Sequence, residues 1–263
     1  MKLPEHIETT DVRAYESRYT VLVNDEPLRT PKGHPVTVRS WELANALADD
    51  LMAEGSLALH TVTLYSLYAT QRDFIEGRIE GTIGTILQHL PGDFALHPDA
   101  DPVLAAKQLT AWAPLLEYLR DMGVEVPIQR IGVQAALPPQ AKPMQEALLP
   151  WELTEGIRTQ LLSMSPAQLS VVLHAVMSCG SVALGMLLAR HAIALDRAVG
   201  ALTTTANHAA RDASRVGDDQ EVFEAEMRQI IRRMLQYGRL TSVDDGNGKR
   251  RDTDEDQVWS DQL

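Results

Sequence analysis

The sequence has a single cysteine, Cys179, and only 5% aromatic residues among its 263 positions. One cysteine cannot form an internal disulfide, and its isolation excludes metal sites built from several thiolates. Basic residues are also in the minority, because 24 lysines and arginines stand against 36 acidic residues and the formal net charge is -12. A chain of this charge repels nucleic-acid phosphates and anionic membrane surfaces. Nucleic acid is therefore not an expected partner.

Motifs for cofactors and catalysis are missing as well. The sequence has no glycine-rich phosphate loop and no HExxH pattern, so no nucleotide site or catalytic zinc site is indicated. Ser181 in CGSVALG lacks the glycine two residues earlier that a nucleophile elbow requires. We therefore predict no catalytic residue, no cofactor and no metal, and expect a protein that is not an enzyme. A small-molecule enzyme stays open as an alternative, because His97, Asp99 and Asp101 alternate in the loop HPDADP.

One stretch without formal charge, residues 167–189, is long enough to cross a bilayer. It carries several serines together with Gln168 and His174, a polar content that favours the buried helix of a soluble bundle. The N-terminus also lacks the apolar run of a secretory signal. We therefore expect no insertion into a membrane.

The first part of the chain has the pattern of a small sheet followed by a helix. Residues 19–38 alternate β-rich runs with two turns rich in Asn, Asp, Pro and Gly, which predicts a three-stranded meander. Ser40 is placed to cap a helix that Gly55 ends. The helix face expected to cover the sheet consists of Trp41, Leu43, Ala44, Leu47, Ala48 and Leu51.

Helical periodicity dominates the remainder of the chain, with Trp112 and Leu115 expected in the core. An edge strand is predicted at 124–134, interrupted by Pro127. The predicted helices are 64–90, 101–122, 143–162 with a break at Pro150, 166–190, 195–213 and 218–239. The resulting fold class is α+β: a small β-rich N-terminal domain (1–60), a larger, mostly helical domain (61–240) and a flexible acidic tail (241–263).

Several blocks of the sequence, in the same order, resemble the ATP-twelve family of assembly chaperones. The first, 19–55, pairs a TVLVNDEPLRTP strand unit with a capped helix, the second is QLTAWAPLLEYLRDMGVEV (108–126), and the third lies within 178–199. The residues that match the family are Thr30, Pro31, Pro35, Ser40, Leu43, Ala44, Gly55, Gln108, Trp112, Pro114, Leu115 and Leu116.

The resemblance implies an ATP-independent chaperone of the ATP synthase catalytic head, which binds the free alpha subunit until that subunit pairs with the beta subunit. A monomer is expected. The implied compartment is the mitochondrial matrix for a processed eukaryotic form, or the cytoplasm of a bacterium. A structural adaptor with a different client is the alternative that the residues leave open.

The resemblance also implies that the client binds the C-terminal helices. The acidic patch that the family leads one to expect near 205–217 reads TANHAARDASRVG in this chain, with no glutamate, glutamine or tryptophan. The predicted client contacts are therefore polar residues within this stretch and directly after it: Asn207, Arg211, Asp218, Asp219 and Glu221.

Overall fold

The structure, a computed structural model, describes residues 6–55, 61–121, 149–212 and 218–245. Four short strands come first: β1 (Thr10–Tyr15), β2 (Arg18–Val23), β3 (Glu26–Pro27) and β4 (Thr37–Val38). The helices of the described residues follow: α1 (Trp41–Glu54), α2 (Leu64–Thr70), α3 (Ile79–Gln88), α4 (Pro102–Ala111), α5 (Ala113–Asp121), α6 (Trp151–Leu162), α7 (Pro166–Cys179), α8 (Val182–Ala189), α9 (Leu195–Asp212) and α10 (Asp218–Asp245). The predicted α+β fold class is confirmed.

Strand β2 is the centre of the antiparallel sheet. It pairs along its whole length with β1, from Thr10 opposite Val23 onwards. Its other edge pairs first with β3 and then with β4. The two-residue turn after β2 has positive φ at Asn24 and Asp25, 51° and 64°, as a tight hairpin requires.

The predicted meander over 19–38 needs two corrections. The sequence pattern missed β1, because its inward positions are only half-buried and its apolar alternation is weak. Strand β4 also pairs with β2. The Leu28 amide still donates to the Val21 carbonyl at 2.8 Å, and Thr37 and Val38 of β4 then pair with Thr20 and Tyr19 of β2.

Helix α1 covers the sheet much as predicted. The Ser40 hydroxyl accepts from the Leu43 amide at 3.0 Å, and Gly55 ends the helix with φ of 67°. The predicted inner face is buried except for Trp41, which is 47% exposed. Trp41 begins the helix at the edge of the sheet and meets the Tyr19 ring edge-on at 5.3 Å, so one face of the indole remains in solvent.

The predicted helix 64–90 is two helices. After α2 the backbone forms a π-helical turn, Gln71–Ile75, and Gly77 then adopts φ of 82° before α3 begins. A positive φ is incompatible with a right-handed helix, and glycine adopts it without the strain that a side chain would add. The helix predicted at 101–122 is likewise divided, since α4 ends at Ala111, Trp112 is its C-cap, and α5 starts at Ala113.

The predicted helix 166–190 is also broken, and a buried carboxylate explains where. Gly180 ends α7 with φ of 71°, and Ser181 caps α8. Asp93 accepts hydrogen bonds from the amides of Val182 at 2.7 Å and Ala183 at 3.1 Å, and from the Ser181 hydroxyl. Burial raises the pKa of Asp93 despite these bonds. The uncharged run therefore folds as two short helices, and among the described residues no helix is long and apolar enough to span a bilayer.

A cluster of buried hydrophobic side chains extends from Ile7 in the N-terminal segment to Tyr237 in α10. Trp112 is 2% exposed and its indole N–H donates to the Ala201 carbonyl at 2.9 Å, while Leu115 is fully buried. Both residues are therefore core, as predicted. The buried cluster contains residues from both 1–60 and 61–240. The division of the chain into domains at these bounds stays a proposal.

Helix α10 continues to Asp245, so it is longer than the predicted 218–239 and extends past the proposed start of the tail at 241. The predicted strand at 124–134 lies outside the described residues, as do positions 246–263 of the tail.

Candidate protein-binding surface

Helices α9 and α10 follow one another in the chain and pack together. Arg228 of α10 bonds Asp196 in the first turn of α9 at 2.5 Å, and bonds Glu224 of its own helix at 3.4 Å. Helix α9 also packs on α4. Helix α9 therefore lies between α10 and α4 and joins the pair to the rest of the protein.

Arg233 fastens the second half of α10 to the N-terminal part of the chain. Its side chain is 7% exposed and donates to Asp50 at 2.7 Å, to the Val62 carbonyl at 3.0 Å and to Glu54. Asp50 in turn accepts the Leu64 amide at 2.7 Å at the start of α2. One guanidinium thus connects α10, α1 and the segment that leads into α2.

The first turns of α10 are much less covered than its second half. Met234 and Tyr237 are fully buried, and Met227 is 8% exposed. Earlier along the helix, Phe223 is 38% and Val222 is 64% exposed. The body of the protein therefore covers α10 from Met227 onwards and leaves its beginning accessible.

The backbone places the predicted client contacts on both sides of the connection between α9 and α10. Asn207 and Arg211 belong to the last turns of α9, and Asp218, Asp219 and Glu221 belong to the first turn of α10. Glu221 is exposed, while the other four side chains lie outside the described residues. The sequence reasoning missed Val222 and Phe223, whose signal is an apolar pair set among acids at a helix start.

The polar residues of the HPDADP loop are used in its own turns. The His97 ring bonds the Pro91 carbonyl at 2.5 Å. Asp99 accepts the Asp101 amide at 2.9 Å, and Asp101 caps α4 by accepting from the Val103 amide at 2.7 Å. Within the described parts of the chain, no group of three or more His, Cys, Asp or Glu side chains could hold a metal ion.

A second polar cluster joins the loop after β3 to the π-helical turn. The Asp73 side chain is fully buried and accepts from the Thr30 hydroxyl at 2.6 Å, the Lys32 amide at 2.9 Å and the His34 ring at 2.8 Å. Burial alone would raise the pKa of Asp73, but these hydrogen bonds outweigh it and the pKa is lowered. Thr30, one of the residues that carry the family resemblance, therefore has a structural role.

Replacing Asp73 with asparagine is expected to lower the free energy of unfolding at pH 7 by about 2 kcal/mol, because the amide leaves a buried donor without its acceptor. The folded pKa lies below the unfolded value of about 3.9, so the carboxylate stabilises the fold above that value and loses its effect as the pH falls through the folded pKa. The gap in urea unfolding between wild type and Asp73→Asn should therefore narrow only as the pH falls below about 4. The exposed Asp49→Asn serves as the control, and a constant gap for Asp73→Asn would contradict the pKa direction.

Residues 6–120 match the model of the ATP12 chaperone protein family. Over these residues, which are less than half of the chain, the sequence is similar to the ATP12 chaperone family. The matched residues include the sheet, the Asp73 cluster and Trp112, whereas the α9–α10 pair lies beyond them. No curated protein matches the sequence.

Solved structures share the fold of this chain over nearly its whole length. The crystal structure of Atp12 from Paracoccus denitrificans superposes with a TM-score of 0.60 at 18% identity, covering 92% of this chain and 98% of that one. Atu1473, a candidate chaperone from Agrobacterium tumefaciens, gives a TM-score of 0.65 at 22% identity, with 90% and 85% covered. A variant of the Paracoccus protein with an aspartate replaced by lysine gives 0.60 at 20% identity, with 92% and 97% covered. At these identities the superpositions show a shared fold.

Proposed function

We propose that this chain is a member of the ATP12 family and an ATP-independent chaperone for assembly of the ATP synthase catalytic head. It would bind the free alpha subunit, as a monomer, until that subunit pairs with the beta subunit. The observation that carries the proposal is the family match over residues 6–120, and the fold shared with Paracoccus Atp12 supports it. The proposed compartment is the mitochondrial matrix for a processed eukaryotic form and the cytoplasm for a bacterial one.

The geometry of α10 suits such a role. Its second half is held in the body by Arg233 and by buried apolar side chains, while its first turns are accessible. A firmly held helix with an exposed end can meet a partner with little loss of conformational entropy. By covering the apolar interface that the beta subunit later occupies, the chaperone would prevent aggregation of the alpha subunit, and pairing with the beta subunit would displace it.

We place the client contacts at Asn207, Arg211, Asp218, Asp219 and Glu221, at the adjoining ends of α9 and α10. No observation favours the enzyme alternative, because His97, Asp99 and Asp101 serve the turns of their own loop.

The client assignment is tested by a pull-down with the purified chain and separately prepared alpha and beta subunits. We expect capture of the alpha subunit and no capture of the beta subunit. Equal capture of both, or capture of neither, contradicts the proposal.

The location of the contacts is tested by charge reversal. Asp219→Lys combined with Glu221→Lys is expected to weaken capture of the alpha subunit with little change in the melting temperature, because both positions precede the part of α10 that the body covers. The matched control reverses two exposed acids in the first turns of another helix, Glu152→Lys with Glu155→Lys on α6. The control has the same net charge change and should capture normally, and equal behaviour of the two variants would contradict the placement.

A further inference from the structure

The apolar face of α10 is longer than the part that the body covers. Apolar residues at three- and four-residue steps form one stripe along the helix, as expected for a helix that packs on one side. The stripe consists of Phe223, Met227, Ile230, Met234 and Tyr237.

Burial along this stripe falls steadily towards the start of the helix. The exposed fraction is 0% at Met234, 8% at Met227 and 38% at Phe223. Val222, next to the stripe, is 64% exposed. The first turns therefore present two large apolar side chains to solvent, in direct continuation of the protein core.

The residues that flank this apolar end along α10 itself are acidic. Glu221 and Glu226 are exposed, and the sequence has no lysine or arginine between Asp218 and Met227. The next basic residue along the helix, Arg228, is paired with carboxylates of Asp196 and Glu224. A partner that covers the apolar pair thus meets negative charge on the same helix.

We propose that Val222 and Phe223 form the apolar anchor of the client-binding surface, and that they bind an apolar segment of the client flanked by lysine or arginine. The apolar side chains supply contact area, since aromatic anchors dominate protein interfaces, and the glutamates select the charge of the flanks. The identity of the client rests on the proposed function, whereas the chemistry of the bound segment rests on α10 itself.

The anchor is tested by replacing Val222 and Phe223 together with serine. The matched control replaces a valine and a phenylalanine of similar exposure elsewhere, Val103 at 59% and Phe74 at 50%, also with serine. We expect Val222→Ser/Phe223→Ser to weaken binding of the isolated alpha subunit by about tenfold or more, with the melting temperature unchanged. The control should bind as wild type does, and wild-type binding by the anchor variant would overturn the proposal.

A second probe does not depend on the client. A synthetic amphipathic peptide of leucine and lysine is expected to bind the wild-type chain and to bind Val222→Ser/Phe223→Ser at least about tenfold more weakly, whereas a leucine and glutamate peptide should not bind. If wild type fails to capture the alpha subunit but discriminates between the peptides in this way, the proposed function fails and the anchor stands. Equal binding of the lysine peptide to wild type and the anchor variant overturns the anchor.

Discussion

Replacing Arg233 with methionine is expected to lower the free energy of unfolding by about 3 to 5 kcal/mol, because it leaves buried charge without its partner. Asp50 and Glu54 both accept from this guanidinium, as does the Val62 carbonyl. Methionine fills most of the same volume but supplies no donor. Equilibrium urea unfolding at pH 7 measures the loss.

The same helix provides a matched control for this substitution. Arg228 also bonds two carboxylates, but its side chain is 34% exposed and Asp196 is 83% exposed. Exposed ion pairs add little to stability, so Arg228→Met should leave the urea midpoint almost unchanged. Similar midpoints for Arg233→Met and Arg228→Met would show that the Arg233 cluster does not hold α10 to α1.

Trp112→Ala is expected to lower the free energy of unfolding by about 3 to 5 kcal/mol, since it removes a large buried side chain and opens a cavity. The indole also packs near the Phe94 ring, with centroids 5.3 Å apart, and its N–H satisfies the Ala201 carbonyl of α9. Loss of this residue therefore removes both packing and a connection between α9 and the end of α4. Thermal and urea unfolding both measure the effect.

Two further variants separate packing from the hydrogen bond. Trp112→Phe retains much of the ring volume but loses the hydrogen bond from the indole N–H to the Ala201 carbonyl, so its loss of stability should be intermediate. Trp151→Ala removes a tryptophan that is 71% exposed and should have little effect. Equal loss for Trp112→Ala and Trp151→Ala would contradict the burial on which the prediction depends.

The parts of the fold that the sequence predicted correctly are those set by neighbouring residues. Ser40 and Gly55 bound α1, and Asp101 with Pro102 starts α4, since a cap needs only a side chain and the next few amides. The turn at Asn24 is local in the same way. The spacing of apolar residues along one side of the helix likewise predicted the buried face of α1, apart from Trp41 at its first position.

The features that the sequence did not reveal depend on distant partners. The break between α7 and α8 lies where Asp93, some ninety residues earlier, bonds the first amides of α8. Helical periodicity continues through this point and hides the local stop and cap at Gly180 and Ser181, which the bonds from Asp93 reinforce. The pairing of β4 with β2 is a similar case, because it joins Thr37 and Val38 to Thr20 and Tyr19, which lie far from them in the sequence.

The proposed surface also depends both on neighbouring residues of the sequence and on distant parts of the fold. The family resemblance predicts client contacts on the C-terminal helices. The exposure of Val222 and Phe223, by contrast, depends on where the body stops covering α10. A stripe that continues from Met227 to Phe223 looks like core when only spacing is considered. The exposure of its first residue identifies it as a surface available to a partner.

Native mass spectrometry of the full chain mixed with isolated ATP synthase alpha subunit tests the central claim most directly. We predict a one-to-one complex with the alpha subunit, no complex with the beta subunit, and loss of the complex when the beta subunit is added. The Val222→Ser/Phe223→Ser variant should show the complex at strongly reduced abundance. Absence of the wild-type complex, or complexes of equal abundance with both subunits, would contradict the account.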